Sequence, residues 1–242
     1  MSSPRKTAIV TGASQGIGAG IVKGFVQRGF NVVANSRKMS QSTEIASSDY
    51  VALVDGHIGE PASASRIVET ALTRFKSIDV LVNNAGIFFT KPFTDYTAED
   101  LRSLVSTNIE GFLYLTQLCV KQMLAQKTGG SVVTITAALA TNPIASLKAS
   151  VPMITKGGLN TITKHLAIEY AKEGIRFNAV APGVVDTPLH KNDPNEVLQS
   201  LNPMGVISSA AEIVDAVMYL AEAHTVTGEI LSVDGGAHVG CW

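Results

Sequence analysis

The chain has 242 residues, 45% of them hydrophobic and 16% charged, which is ample material for one sizeable core and favours a single domain over residues 1–242. Lys and Arg total 19 against 20 Asp and Glu, with no long block of one sign, so neither nucleic acid nor an anionic membrane is expected as a partner. No run of 18 apolar residues occurs, and the opening MSSPRKTAIV is too short in apolar content for a signal-peptide core; a soluble, cytoplasmic protein is expected.

Apolar runs of strand length recur at TAIV (7–10), NVVA (31–34), YVALV (50–54), IDVLV (78–82), SVVTIT (131–136), IRFNAVA (175–181) and EILSV (229–233). Between most of them lie segments with helical periodicity, at roughly 16–28, 61–75, 98–126, 152–173 and 209–222. That alternation, with strands apolar throughout, predicts an α/β fold: a doubly wound parallel sheet with helices on both faces. Thr97 followed by Asp100 has the spacing of a capping box. The irregular stretch 182–206 has the length of a lid over a pocket. Cys119 falls in an apolar helical pattern and is expected as a buried thiol. Neither it nor Cys241 has metal-site or disulfide spacing.

After the first strand comes TGASQGIGAG (11–20), with Gly12, Gly16 and Gly18 spaced by Ser14, Gln15 and Ile17 and leading into a helix. Glycine lets backbone turn tightly and approach a ligand, and the helix start offers free N–H groups to a pyrophosphate. The second strand ends at Ser36, followed by Arg37 and Lys38. A carboxylate there would grip the ribose hydroxyls of NAD, whereas positive charge suits a 2′-phosphate, so NADP(H) is preferred over NAD(H).

Together with NNAG (83–86), Asn108 in STNIEG, Lys156, APGVVDT (181–187) and VDGG (233–236), the glycine turn resembles the short-chain dehydrogenase/reductase family over about residues 5 to 238. The resemblance implies a single-domain Rossmann-like fold of seven parallel strands, an oxidoreductase activity on a small-molecule substrate, and commonly a tetramer built on the helices at 98–126 and 152–173. It implies that Asn84, Ala85 and Gly86 line the adenosine ribose side and that Lys156 holds the nicotinamide ribose. Pro182 and Gly183 would face the nicotinamide, and Val185 and Thr187 would bind its carboxamide. His57, followed by Ile58, stands where the family favours an Asp for the adenine amino group; a hydrogen bond to adenine and simple packing are both open to it.

One departure bears on the chemistry. The family carries Tyr four residues before the Lys, and here that position is Pro152, on the helix face of Lys156 but with no proton to give. The family's Ser position falls at Ala137, beside Thr136. A general acid typically contributes about 3 to 5 kcal/mol and positioning up to about 7 to 11 kcal/mol, so hydride transfer can survive the loss, most readily to an iminium, quinone-like ring or activated enone. Water linked to Lys156 and Asn108 is the leading replacement acid, with His190 in TPLHKND and Thr136 behind it. The main expectation is an NADP(H)-dependent oxidoreductase with an atypical proton donor; the alternative is a non-catalytic NADP(H) sensor or oligomeric partner protein.

Overall fold

The computed structural model of the chain describes residues 5–240, so Cys241 lies outside the described residues. Seven strands form one parallel sheet in the order β3-β2-β1-β4-β5-β6-β7: β1 Thr7–Thr11, β2 Asn31–Ser36, β3 Val51–Asp55, β4 Val80–Asn83, β5 Gly130–Ile135, β6 Ile175–Pro182 and β7 Ile230–Val233. All seven apolar runs read from the sequence are strands. The chain leaves β1 for β2 on one side and returns to place β4 on the other, so the sheet reverses direction between β1 and β4. Ligands of such sheets bind in the crevice above that point, at the carboxyl ends of the strands.

Successive side chains on a strand face opposite ways, and both faces are covered here. Ala8 and Val10 of β1 point into a core completed by Ile21 and Phe25 of helix α1 (Gly16–Gln27) and by Val217 and Leu220 of α7 (Ala210–Glu222). Ile9 points the other way, toward Ile67 of α2 (Pro61–Arg74), Leu115, Cys119 and Met123 of α4 (Gly111–Gln126), and Phe177. Cys119 is fully buried, and burial alone pushes its thiol pKa up, so it stays protonated in the core.

Two helices differ from the sequence reading. The segment expected as one helix over 98–126 is α3 (Ala98–Leu104), a π turn (Val105–Glu110) and then α4, with a complete capping box of Thr97 and Asp100 at its start. The helix expected from 152 begins two residues earlier: α5 is Ser150–Glu169, which puts Pro152 at the third helical position. A first-turn N–H has no partner within the helix, so proline costs little there. The 182–206 stretch contains one short helix, α6 (Asn195–Gln199). Among the described residues no helix is long and apolar enough to cross a membrane.

Candidate functional site

β1 delivers its last residue, Thr11, to the edge of the crevice, where the glycine turn begins. Gly12 has φ +64°, and a β-carbon there would lie 2.9 Å from both Ala85 Cα and Asn84 Nδ2. A β-carbon on Gly18 would lie closer still to the Gly12 carbonyl oxygen, so only glycine fits either position. Asn84 Nδ2 donates to the carbonyls of Thr11 (2.9 Å) and Gly12 (3.1 Å), and Thr11 Oγ1 accepts from Asn84 N (3.1 Å) and Ala85 N (3.0 Å). The Asn84 side chain therefore braces the turn across the β1/β4 junction. Gln15 precedes α1 without a side-chain cap, leaving the first-turn N–H groups around Gly16, Ile17 and Gly18 open toward the crevice, beside Ser14.

The next two strand ends lie outward along the sheet. Ser36 closes β2, followed by exposed Arg37 and Lys38, neither of which forms an ion pair among the described residues. Past β3, His57 Nδ1 accepts from Gly59 N at 3.1 Å, which leaves the proton of the neutral ring on Nε2. Ile58 is buried against Gly111 at the start of α4.

On the other side of the junction, the chain leaving β4 passes through Gly86 beneath two side chains from different helical segments. A β-carbon at Gly86 would lie 3.2 Å from Lys156 Nζ and 3.3 Å from Asn108 Oδ1, so both line the space above this glycine. Asn108, from the π turn, accepts from Ile87 N (2.9 Å) and donates to Ile87 O (3.1 Å) and Thr155 Oγ1 (3.0 Å); Thr155 in turn donates to Pro152 O (2.8 Å). π turns inside α-helices are frequent at functional positions. Lys156 is 8% exposed, donates to Ile135 O at 2.8 Å, and forms no ion pair among the described residues. Burial lowers its pKa to about 8.

The remaining expected residues lie as follows. Thr136 is buried just past β5, its hydroxyl donating to Val180 O at 3.3 Å. His190 sits in the lid stretch with Nδ1 2.9 Å from Asp193 Oδ2. Pro182 ends β6, and Gly183 N donates to Val233 O at 2.9 Å; a β-carbon on Gly183 would meet Asp234 Cα at 2.8 Å. Val185 is buried and bridges to Ser208, and Thr187 lies against Gly16, bringing the start of the lid over the glycine turn. Thr11, Thr155 and Asp234 belong to this machinery without having been singled out in the sequence. Asp234 is buried and accepts from Gly236 N (3.0 Å) and His238 N (2.8 Å), fixing the turn beside Gly183. Thr11 and Asp234 lie inside the motifs at 11–20 and 233–236, and Thr155 precedes Lys156, which is the signal that could have found them.

These residues fit a dinucleotide. The cradle at Gly12 and Gly18 excludes side chains, the N-terminus of α1 is uncapped, and Lys156 has three N–H donors with one protein acceptor. Among the described residues there is no cluster of His, Cys, Asp and Glu suited to a metal ion.

The profile of a family described as enoyl-(acyl carrier protein) reductase matches residues 12–238. A tropinone reductase homolog of Arabidopsis thaliana is 32% identical over 98% of this chain and 91% of its own length. A 3beta-hydroxysteroid dehydrogenase of Eggerthella lenta is 31% identical over 96% of this chain and 93% of its own. Among solved structures, a 3-ketoacyl-(acyl-carrier-protein) reductase from Brucella melitensis complexed with NADH superposes with a TM-score of 0.90 at 29% identity, covering 98% of this chain and all of the other. A tyrosine-to-phenylalanine variant of ElxO with NADPH bound gives 0.89 at 26% identity, covering 96% of this chain and 98% of that one.

Proposed function

Because the chain belongs to the short-chain dehydrogenase/reductase family of oxidoreductases, whose solved relatives include NADH- and NADPH-bound forms, we propose that it transfers hydride between NADP(H) and a small carbonyl-, imine- or quinone-like substrate, with Lys156 standing behind an atypical proton donor. When bound, the dihydronicotinamide supplies the hydride. Gly12, Gly16 and Gly18 admit the pyrophosphate, Arg37 with Ser36 meets the 2′-phosphate, and Lys156 holds the nearer ribose. The observation that carries the reading is the Lys156 ammonium: buried, with no carboxylate partner among the described residues, and with two N–H groups beyond its bond to Ile135 O. In the reducing direction it releases a proton through a water to the oxygen or nitrogen of the bond whose carbon accepts hydride, and it is reprotonated from solvent. Asn108 keeps the turn at Gly86 and Ile87 in place beside it. This route is preferred over Thr136, whose hydroxyl already donates to Val180 O, and over His190, which lies on the lid stretch with Nδ1 held by Asp193. The same reading takes the protein as a cytoplasmic homo-oligomer.

Pro152 favours a second reading, a dinucleotide sensor, since its side chain has no proton to offer. NADPH consumption over a panel of ketones, cyclic imines and quinones separates the two. Turnover is expected on the more electrophilic members, falling as pH rises through about 8, where Lys156 loses its proton. Lys156→Ala is expected to weaken NADPH binding and turnover together. Tight NADPH binding without turnover on any member would favour the sensor, and equal affinities for NADPH and NADH would remove the preference assigned to Arg37.

A further inference from the structure

We infer that Asp55, an acidic residue at the end of β3, sets cofactor preference by holding the cationic loop in place, and that it is a positioning residue for the 2′-phosphate site. The inference rests on the NADP(H) reading above.

The loop after β2 has the composition of a mobile surface turn, yet it is pinned along its length. Met39, directly after Arg37 and Lys38, is fully buried in the core. Asp55 accepts from Ser40 twice, from the backbone N at 2.7 Å and from Oγ at 2.6 Å, and these bonds hold its carboxyl below the usual range. Ser42 Oγ donates to Ser14 O at 2.8 Å and accepts from Glu44 N and Ile45 N, each at 3.2 Å, tying the loop to the glycine turn. Beneath it, Asn35 Nδ2 donates to the carbonyls of Val54 (3.0 Å) and Gly56 (3.2 Å), and Gly56 N donates to Ser36 O at 3.0 Å, locking the ends of β2 and β3 together. Arg37 and Lys38 form no ion pair among the described residues. They stand exposed between these anchors.

A carboxylate next to a site for a dianion is unfavourable if it acts only through its charge. Asp55 lies directly across from Ser36 in the β2/β3 register. Here both carboxylate oxygens are occupied by the loop itself, which partly offsets the charge and fixes where Arg37 begins. A guanidinium arriving pre-oriented loses less freedom when it closes on a phosphate, so the staple converts order in the free protein into affinity for the phosphorylated cofactor. Ribose without the phosphate makes no use of it.

The two possible roles of Asp55 have opposite signs. Fluorescence titration of the full chain with NADPH and with NADH, for the unmodified protein and for Asp55→Ala, decides between them. Positioning predicts that NADPH affinity falls about five- to tenfold in the variant while NADH affinity stays within about twofold. Unchanged or tighter NADPH binding, as loss of a negative charge alone would give, overturns the inference. Ser40→Ala, which removes one of the two bonds and leaves all charges in place, is expected to weaken NADPH binding by a smaller factor in the same direction. It serves as the test if Asp55→Ala fails to fold, and no effect on NADPH affinity would then count against the staple. If the unmodified protein binds both cofactors equally, the NADP(H) reading itself fails and takes this one with it, a result distinct from a preference that survives removal of Asp55.

Discussion

Lys156 carries a cost as well as a function. Its pKa in the folded chain, about 8, lies below the ordinary lysine value of 10.5, so between those pH values the unfolded chain binds more protons than the folded one. Folded stability therefore rises with pH across that window, and the penalty for burying the ammonium is fully present below about pH 8. Lys156→Met keeps the bulk and removes the charge. Allowing for the lost bond to Ile135 O, the cofactor-free variant is expected to be more stable at pH 7 by on the order of 2 kcal/mol, with the gain fading toward pH 10. Urea unfolding at the two pH values measures this, and a less stable variant at pH 7 would mean the ammonium is better solvated than its burial implies. The identity of this residue and the absence of a phenol at Pro152 were readable through the family resemblance. The commitments of its neighbours were not, because they are made across distance in the chain: the Thr136 hydroxyl finds Val180, and Asn108 finds Thr155.

At the level of elements, the sequence was most informative where local chemistry decides. The Thr97 and Asp100 pair announced its capping box, and Ser209 with Glu212 has the same spacing and forms the same box at the start of α7. Ser209→Ala is expected to cost about 1 kcal/mol in urea unfolding with cofactor affinity unchanged, since the cap satisfies only the first turn of its own helix. A loss of NADPH binding would show that the cap also sets the lid, whose Ser208 lies next door. The start of α5 was misplaced because proline marks a helix start without saying which of the first positions it fills. The π turn was hidden altogether: its residues, VSTNIE, have no composition that distinguishes them from a regular helix, and only the packing on either side requires the wider turn.

For the molecule as a whole, the strand runs were enough to give the parallel sheet, and the glycine turn located the crevice. Strand order was not legible there, since nothing within an apolar run states its neighbours; it comes from the structure. The surface adds one expectation. Helix α5 carries Ile154 and Ile168, 62% and 82% exposed, and α4 carries Leu113 and Leu124 on its outer side. Scattered exposed apolar residues are ordinary, but these lie on the two helices that the family resemblance assigns to assembly. Ile168→Glu is expected to shift the sedimentation coefficient toward a smaller species without changing the circular dichroism spectrum; an identical coefficient would place any subunit contact elsewhere. The widened turn at Val105–Glu110 has a consequence of its own for how this chain can change. An α-helix advances about 100° per residue, so deleting one residue there would swing Leu115, Cys119 and Met123 together out of the sheet's lower layer. A substitution at Asn108 would break bonds to Ile87 and Thr155 alone, whereas a shortening by a single codon would rewrite an entire face.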